Sequence, residues 1–502
     1  METAFKKDIY EQLSLVWSGT ASRELTGECV VPDTMPDVAT VVDADGVLIL
    51  RSKETETGAV CLTAAVNLWV LYQPEDGGVM RSLEMTVPAE IRMEASAVDG
   101  DCRTVANLRL RGLDARAIHS RKVAVRCDVE AEVQCFGRSN LEIASGLEEE
   151  QGSIHLLTKT AGVATVADVR EKTFVVTDEY PLPPGCGGVE SLLSQRVEAS
   201  VEDVKYVSGK AVFRGRVRVG LLFAAAEGGR LVSGRYETEF SQIMELDGAG
   251  EEALPTVSLL LTGVYFDLPR PGENNDRVSA ELHMAAQAIC RQKQSVTYIA
   301  DLYSNKTVLV PACETLTVVE DMRPVSLRQT VAGRAEPFSG QGEVLRLAAS
   351  VGAVTAQGNT VKTTVNIRLL SGSAQEGYTL SRCRLAAEFT ATDLPENGVL
   401  RPVSVTATDV YYAPGSGSAD VRVTLLLEAL AVLEKTVEYV QSASEDAQAW
   451  EQQRHMPSIT MMRVPPQTDL WQLAKRYHST LEAIETANEG RRDGLILLPK
   501  GQ

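Results

Sequence analysis

Aromatic residues are scarce, only 5% of the chain, and histidine occurs five times in 502 residues. His119, His155, His283, His455 and His478 lie far apart. No spacing among them, or between them and cysteine, would gather ligands around a metal. The chain also lacks a phosphate-cradling GxxxxGK[ST] or GxGxxG loop, a GxSxG elbow and an HExxH helix. These are the common signatures of nucleotide binding, serine hydrolysis and zinc hydrolysis. No catalytic residue, metal site or cofactor site is expected, and the chain is read as a non-enzyme.

Positive charge is in short supply too: 49 Lys and Arg against 68 Asp and Glu, a net of −19. Phosphate backbones and anionic bilayers both select clustered Lys and Arg, so nucleic acid and charged membrane surfaces are poor partners. No apolar run approaches the ~18 residues that a membrane-spanning helix needs. At the N-terminus, Lys6 and Lys7 are followed by Asp8, Glu11 and Gln12, which break the apolar stretch of a secretory signal. Nine cysteines, an odd number without any CxxC, sit largely on apolar strand positions and read as reduced core residues. The expected location is cytoplasmic.

What the chain has in abundance is alternation. Val60, Leu62, Ala64, Val66, Leu68, Val70 and Tyr72 fall on one face of a period-two pattern, which predicts a long strand with one buried face. The same face recurs as Ala211, Phe213, Gly215, Val217, Val219, Leu221 and Phe223, then as Val361, Thr363, Val365, Ile367 and Leu369. A Gly-containing turn follows each time, at Gly77-Gly78, Gly228-Gly229 and Gly377, and a second strand returns from it. Each unit closes on another alternating strand, beginning at Val123, Val278 and Val421. The fold class is therefore mainly β: three tandem antiparallel β-sandwich or barrel-like repeats, over residues 20–145, 165–310 and 315–436. The third is the weakest match, because Ser371 stands where Tyr72 and Phe223 end the strand. Polar residues 437–457 read as a linker that tethers a last unit at 458–500.

In that last unit Met461, Met462 and Val464 supply a strand. Thr468 would cap a helix whose Leu470, Leu473, Ala474 and Tyr477 share one face. Ser479 and Glu482 would form a capping box for a second helix carrying Leu481 and Ile484 inward, and Leu495–Pro499 would return as a strand. This β-α-α-β pattern, with Leu470-Trp471, Ala474, Tyr477 and Asn488, resembles a LysM domain. The segment Val31-Pro32-Asp33-Thr34-Met35-Pro36-Asp37-Val38, with Val70-Leu71-Tyr72, resembles the opening of the SPOCS domain of spore-coat proteins from endospore-forming bacteria.

SPOCS repeats followed by a LysM module resemble spore-coat morphogenesis proteins. The resemblance implies a scaffold on the mother-cell side of the forespore, in the spore coat, whose LysM-like module binds a coat morphogenetic ATPase. LysM domains ordinarily bind N-acetylglucosamine polymers, so the alternative is a peptidoglycan- or chitin-binding cell-wall protein. Here Gln467-Thr468-Asp469 replaces the usual Gly-Asp-Thr, and Arg491-Arg492-Asp493-Gly494 replaces the usual Pro-Gly-Gln. Losing the first glycine removes an option for positive φ, which points away from sugar and leaves at most weak glycan binding. The residues expected to bind the partner are Gln467, Thr468, Asp469, Leu470 and Trp471 in the first loop and helix start. Asn488, Arg491, Arg492 and Gly494 would complete the surface from the second loop. From Pro457 onward there are six basic and five acidic residues, a net of +1, against −20 on the rest. That contrast suits an acidic partner.

Overall fold

A computed structural model describes residues 3–149, 152–184, 186, 188–226, 229–269, 276–338, 343–373, 377–395, 397–453 and 457–500. The chain is mainly β, built from antiparallel sheets. Its first six strands are β1 (Phe5–Val30), β2 (Val38–Glu56), β3 (Gly58–Pro74), β4 (Arg81–Ala95), β5 (Arg103–His119) and β6 (Lys122–Leu147). Strands β2-β3-β4 form one sheet, and β5-β6-β1 run together in another. The alternating side chains of β3 and β6 fill the space between them: Val60, Leu62, Val66, Leu68, Val70 and Tyr72 against Val123, Val125, Cys127, Val129 and Val133. Burying these apolar faces at about 25 cal/mol per Å² is the main force closing the sandwich.

The same order follows twice more. Strands β7 (Ile154–Pro181), β8 (Val189–Val207), β9 (Lys210–Ala225), β10 (Leu231–Glu245), β11 (Leu254–Asp267) and β12 (Arg277–Ser304) give a β10-β9-β8 sheet and a β11-β12-β7 run. Strands β13 (Leu309–Phe338), β14 (Glu343–Gln357), β15 (Thr360–Ser373), β16 (Gly377–Thr390), β17 (Gly398–Pro414) and β18 (Gly417–Glu445) give β14-β15-β16 and β13-β18-β17. The pairs Leu13–Val166 and Glu336–Arg382 join neighbouring sheets. Gly215 is needed where it stands in β9. A Cβ there would lie 2.2 Å from the Ser200 carbonyl oxygen and 2.4 Å from Phe240, so the missing side chain makes room for that ring.

Sequence periodicity leaves the packing between the three units open; in the structure they share one junction. Leu71 of β3, Leu222 of β9 and Leu370 of β15 point away from their own sandwiches and meet with Met80, Leu193 and Leu345. Beside them lies a polar knot. Asp43 of β2 is ion-paired with Arg346 of β14 and Arg368 of β15; Asp45 pairs with Arg346 at 2.9 Å; and Arg346 donates to Ser194 Oγ of β8 at 3.1 Å. Farther out, the long strand ends pack on one another, with Ile143, Val296, Tyr298, Leu316 and Tyr439 in one cluster.

These long ends move the expected boundaries. The units begin at Phe5, Ile154 and Leu309, not at 20, 165 and 315, because β1, β7 and β13 pair along almost the whole of β6, β12 and β18. The alternation of β1 is faint in the sequence because only Phe5 and Leu13 are buried along it and Lys6, Glu11, Arg23 and Glu24 dilute the rest. Residues 437–445 are not linker but the end of β18, held there by buried Tyr439, Val440 and Ala443. Helix α1 (Ala447–Gln453) follows; residues 454–456 of the expected linker lie outside the described residues.

Candidate partner-binding site

The C-terminal unit has the order β19 (Ile459–Val464), α2 (Leu470–Tyr477), α3 (Leu481–Ala487) and β20 (Gly494–Pro499). Its core is Val464, Leu473, Ala474, Ile484, Ile496 and Leu498. Two caps differ from expectation. Asp469, not Thr468, caps α2, its carboxylate accepting from the Trp471 amide at 2.9 Å; Thr468 donates to the Pro465 carbonyl at 2.7 Å. Thr480, not Ser479, caps α3 by accepting from the Ala483 amide, while Ser479 is buried. In each case the residue one step closer to the helix has the extended backbone that lets a side chain reach back. Leu481 faces solvent and only Ile484 turns inward.

The first loop keeps the turn that its sequence argues against. Gln467 itself adopts φ +68°, so the left-handed conformation survives without the glycine, at a steric cost of about 1–2 kcal/mol. In the second loop Gly490 and Gly494 take φ +77° and +78°. Asn488 is a clamp: its amide donates to the carbonyls of Ile484 (2.8 Å) and Leu497 (2.7 Å), and its oxygen accepts from the Leu497 amide (2.7 Å). Arg491 and Arg492 are exposed, Arg492 paired with Glu485 at 2.7 Å.

Trp471 does not share that surface. It is 8% exposed because the face of α2 is docked on the end of β12. Its indole N–H donates to Asp301 Oδ2 at 2.8 Å, Lys475 donates to Asp301 Oδ1 at 2.5 Å, and its ring meets Tyr303 edge-on at 4.9 Å between centroids. His478, left-handed at φ +51°, places Nδ1 3.2 Å from the Ser304 carbonyl oxygen and stacks edge-on with Trp450 of α1 at 5.1 Å. Burial pushes the Asp301 carboxyl up, but the hydrogen bonds from Lys475 and Trp471 outweigh it and hold the group below its ordinary value. Burial pushes the Tyr303 hydroxyl up to about 12.

The nine expected residues are therefore split. Gln467, Asp469, Arg491 and Arg492 are exposed; Thr468, Leu470, Asn488 and Gly494 are half-buried; Trp471 is covered. A surface that was not expected lies on the outer side of the hairpin. The register pairs Ile459 with Pro499, Met461 with Leu497 and Arg463 with Leu495, and directly opposed residues share a face. Ile459, Met461 and Leu495 are 62%, 61% and 57% exposed. The signal was present in the unbroken run Leu495-Ile496-Leu497-Leu498, since a strand apolar on both faces has one face to spare once the core is served. Asp301, Tyr303 and Ser304 left no such signal, because they lie in another unit.

Among the described residues, no group of three or more His, Cys, Asp or Glu side chains is arranged to hold a metal, and no helix is long and apolar enough to cross a membrane. Compared with family models, with curated proteins and with solved structures, the chain matches none.

Proposed function

We propose that this chain is a non-enzymatic scaffold of endospore coat assembly, working on the mother-cell side of the forespore. Its C-terminal unit, LysM-like in sequence, binds a coat morphogenetic ATPase. The observation that carries this reading is the division of labour on that unit. One side, through Trp471 and Lys475, is spent on docking to β12. The opposite hairpin face leaves Ile459, Met461 and Leu495 in solvent beside Arg463, with Arg491 and Arg492 in the adjoining loop. An apolar strip with a basic rim suits a protein surface of opposite charge.

The test is association of the full chain with the ATPase, comparing wild type with Met461→Glu combined with Leu495→Glu. Both side chains point outward, so circular dichroism should be unchanged while affinity falls at least about tenfold, the loss of one central anchor of about 1.4 kcal/mol or more. Equal affinity would place the contact elsewhere. Asp469 is unsuitable for such a test, because changing it removes the α2 cap.

One observation favours glycan binding as a second reading: Gln467 keeps the left-handed turn that the glycine would have supplied. Calorimetry with chitin oligomers and purified peptidoglycan separates the two. Weak or no binding is expected, and micromolar affinity would support the glycan reading.

A further inference from the structure

Where the three sandwiches converge, a cavity of about 720 Å³ opens beside the polar knot. That volume falls within the ~300–1,000 Å³ typical of small-molecule sites. All three units contribute walls, including Leu108 of β5, Leu259 of β11 and Val405 of β17. The lining holds seven arginines and only two carboxylates, Asp45 and Glu198, in a chain whose net charge is −19.

Most of these cations are already satisfied. Arg109 pairs with Glu132 at 3.0 Å, Arg111 with Glu130 at 2.8 Å and Arg218 with Glu237 at 3.2 Å. Arg196 pairs with Glu198, and Arg368 with Asp43. Two are held least. The Arg382 side chain is 60% exposed and has only a long pair with Asp114 at 4.0 Å, with Glu336 across from it on β13; Arg384 has no ion pair among the described residues.

Their placement is unusual for a sheet. Arg382 sits directly across from Arg368 in the β15–β16 register, and Arg384 directly across from Asn366. All four therefore project from the same face, and all four line the cavity. Like charges directly opposed across strands oppose pairing, and nothing in the apolar packing requires them there. Burial, and then Arg382 itself, push Arg368 down to about 10. A neutral or acidic side chain at 382 would relieve this, so the arrangement is suited to an anion placed between the guanidiniums, which can grip oxyanions with two parallel N–H bonds.

We infer that the cavity at the junction of the three β units binds a small multivalent oxyanion, bearing phosphate or carboxylate groups, held by Arg382 and Arg384 with Asn366 beside them.

The experiment is isothermal titration of the full chain with inorganic pyrophosphate and, separately, with citrate, at fixed ionic strength. Saturable binding at one site is expected for at least one probe, and the preferred probe distinguishes phosphate from carboxylate chemistry. Arg382→Ser combined with Arg384→Ser should weaken it at least tenfold with an unchanged melting curve. Because a variant can misfold, the wild-type chain is also treated with phenylglyoxal and mapped by mass spectrometry. The bound probe should slow modification of Arg382 and Arg384 but not of exposed Arg214. No saturable binding of either probe, equal binding by a folded double variant, or no selective protection overturns the inference.

Discussion

Asp301→Ala should release the C-terminal unit from the β body. In the wild type this carboxylate accepts the indole proton of buried Trp471 and pairs with Lys475, bridging β12 and α2. Removing it leaves an indole N–H facing a dry contact, at about 1–3 kcal/mol. The Lys475 pair is about a third exposed on the lysine side, so its loss adds only about 0–1 kcal/mol. Together, about 1–4 kcal/mol lowers the docked-to-undocked ratio by about fivefold to about a thousandfold. Apolar contact of Trp471 with Tyr303 remains and limits the effect. Nuclear magnetic resonance can follow the Trp471 indole proton, assigned by its disappearance in Trp471→Phe, while hydrogen exchange reports on the α2 amides. Faster exchange at both, with β12 and β18 still protected, is the expected result. If Asp301→Ala leaves indole and α2 exchange at wild-type rates, the hydrogen bond is not what holds the unit down, and the argument fails.

The same carboxylate predicts a pH dependence: its folded value lies below the usual 3.8, so its stabilisation is present above that pH and is lost as pH falls through the lowered value. Docking followed by α2 exchange should hold constant from neutral down to pH 5 and loosen only in stronger acid; loosening near pH 6 would implicate another group. Asp43→Ala should cost about 3–5 kcal/mol in denaturant unfolding of the whole chain, because it strips buried Arg368 of its carboxylate and leaves Arg346 with Asp45 alone, and a loss under about 1 kcal/mol would show that water replaces the carboxylate. Gln467→Gly should stabilise the C-terminal unit by up to about 1 kcal/mol, the relief of a left-handed side chain less the glycine's added chain entropy. Unfolding of that unit followed by helical circular dichroism checks it, and a clear destabilisation would mean that the Gln467 side chain makes a contact worth more than the strain.

What the sequence by itself determined is everything governed by local period. Because side chains alternate every two residues along a strand, Val60 through Tyr72, Ala211 through Phe223 and Val361 through Leu369 could be assigned to buried faces without knowing what covers them, and those faces are the cores. The β-α-α-β order of the last unit was legible for the same reason, from helical spacing at Leu470, Leu473, Ala474 and Tyr477. Features that depend on a partner distant in sequence were not. The opening motif is fixed by Arg121, which donates to the Val31 and Met35 carbonyls and pairs with Asp33 and Asp37, from the far end of its sandwich. Trp471 reads as a partner contact until Asp301 and Tyr303 arrive from β12. Asp43, Ser194 and Arg346 look like unremarkable polar residues on three separate strands. Only the tertiary structure turns them into one junction, because charge complementarity between segments leaves no periodic trace along either one.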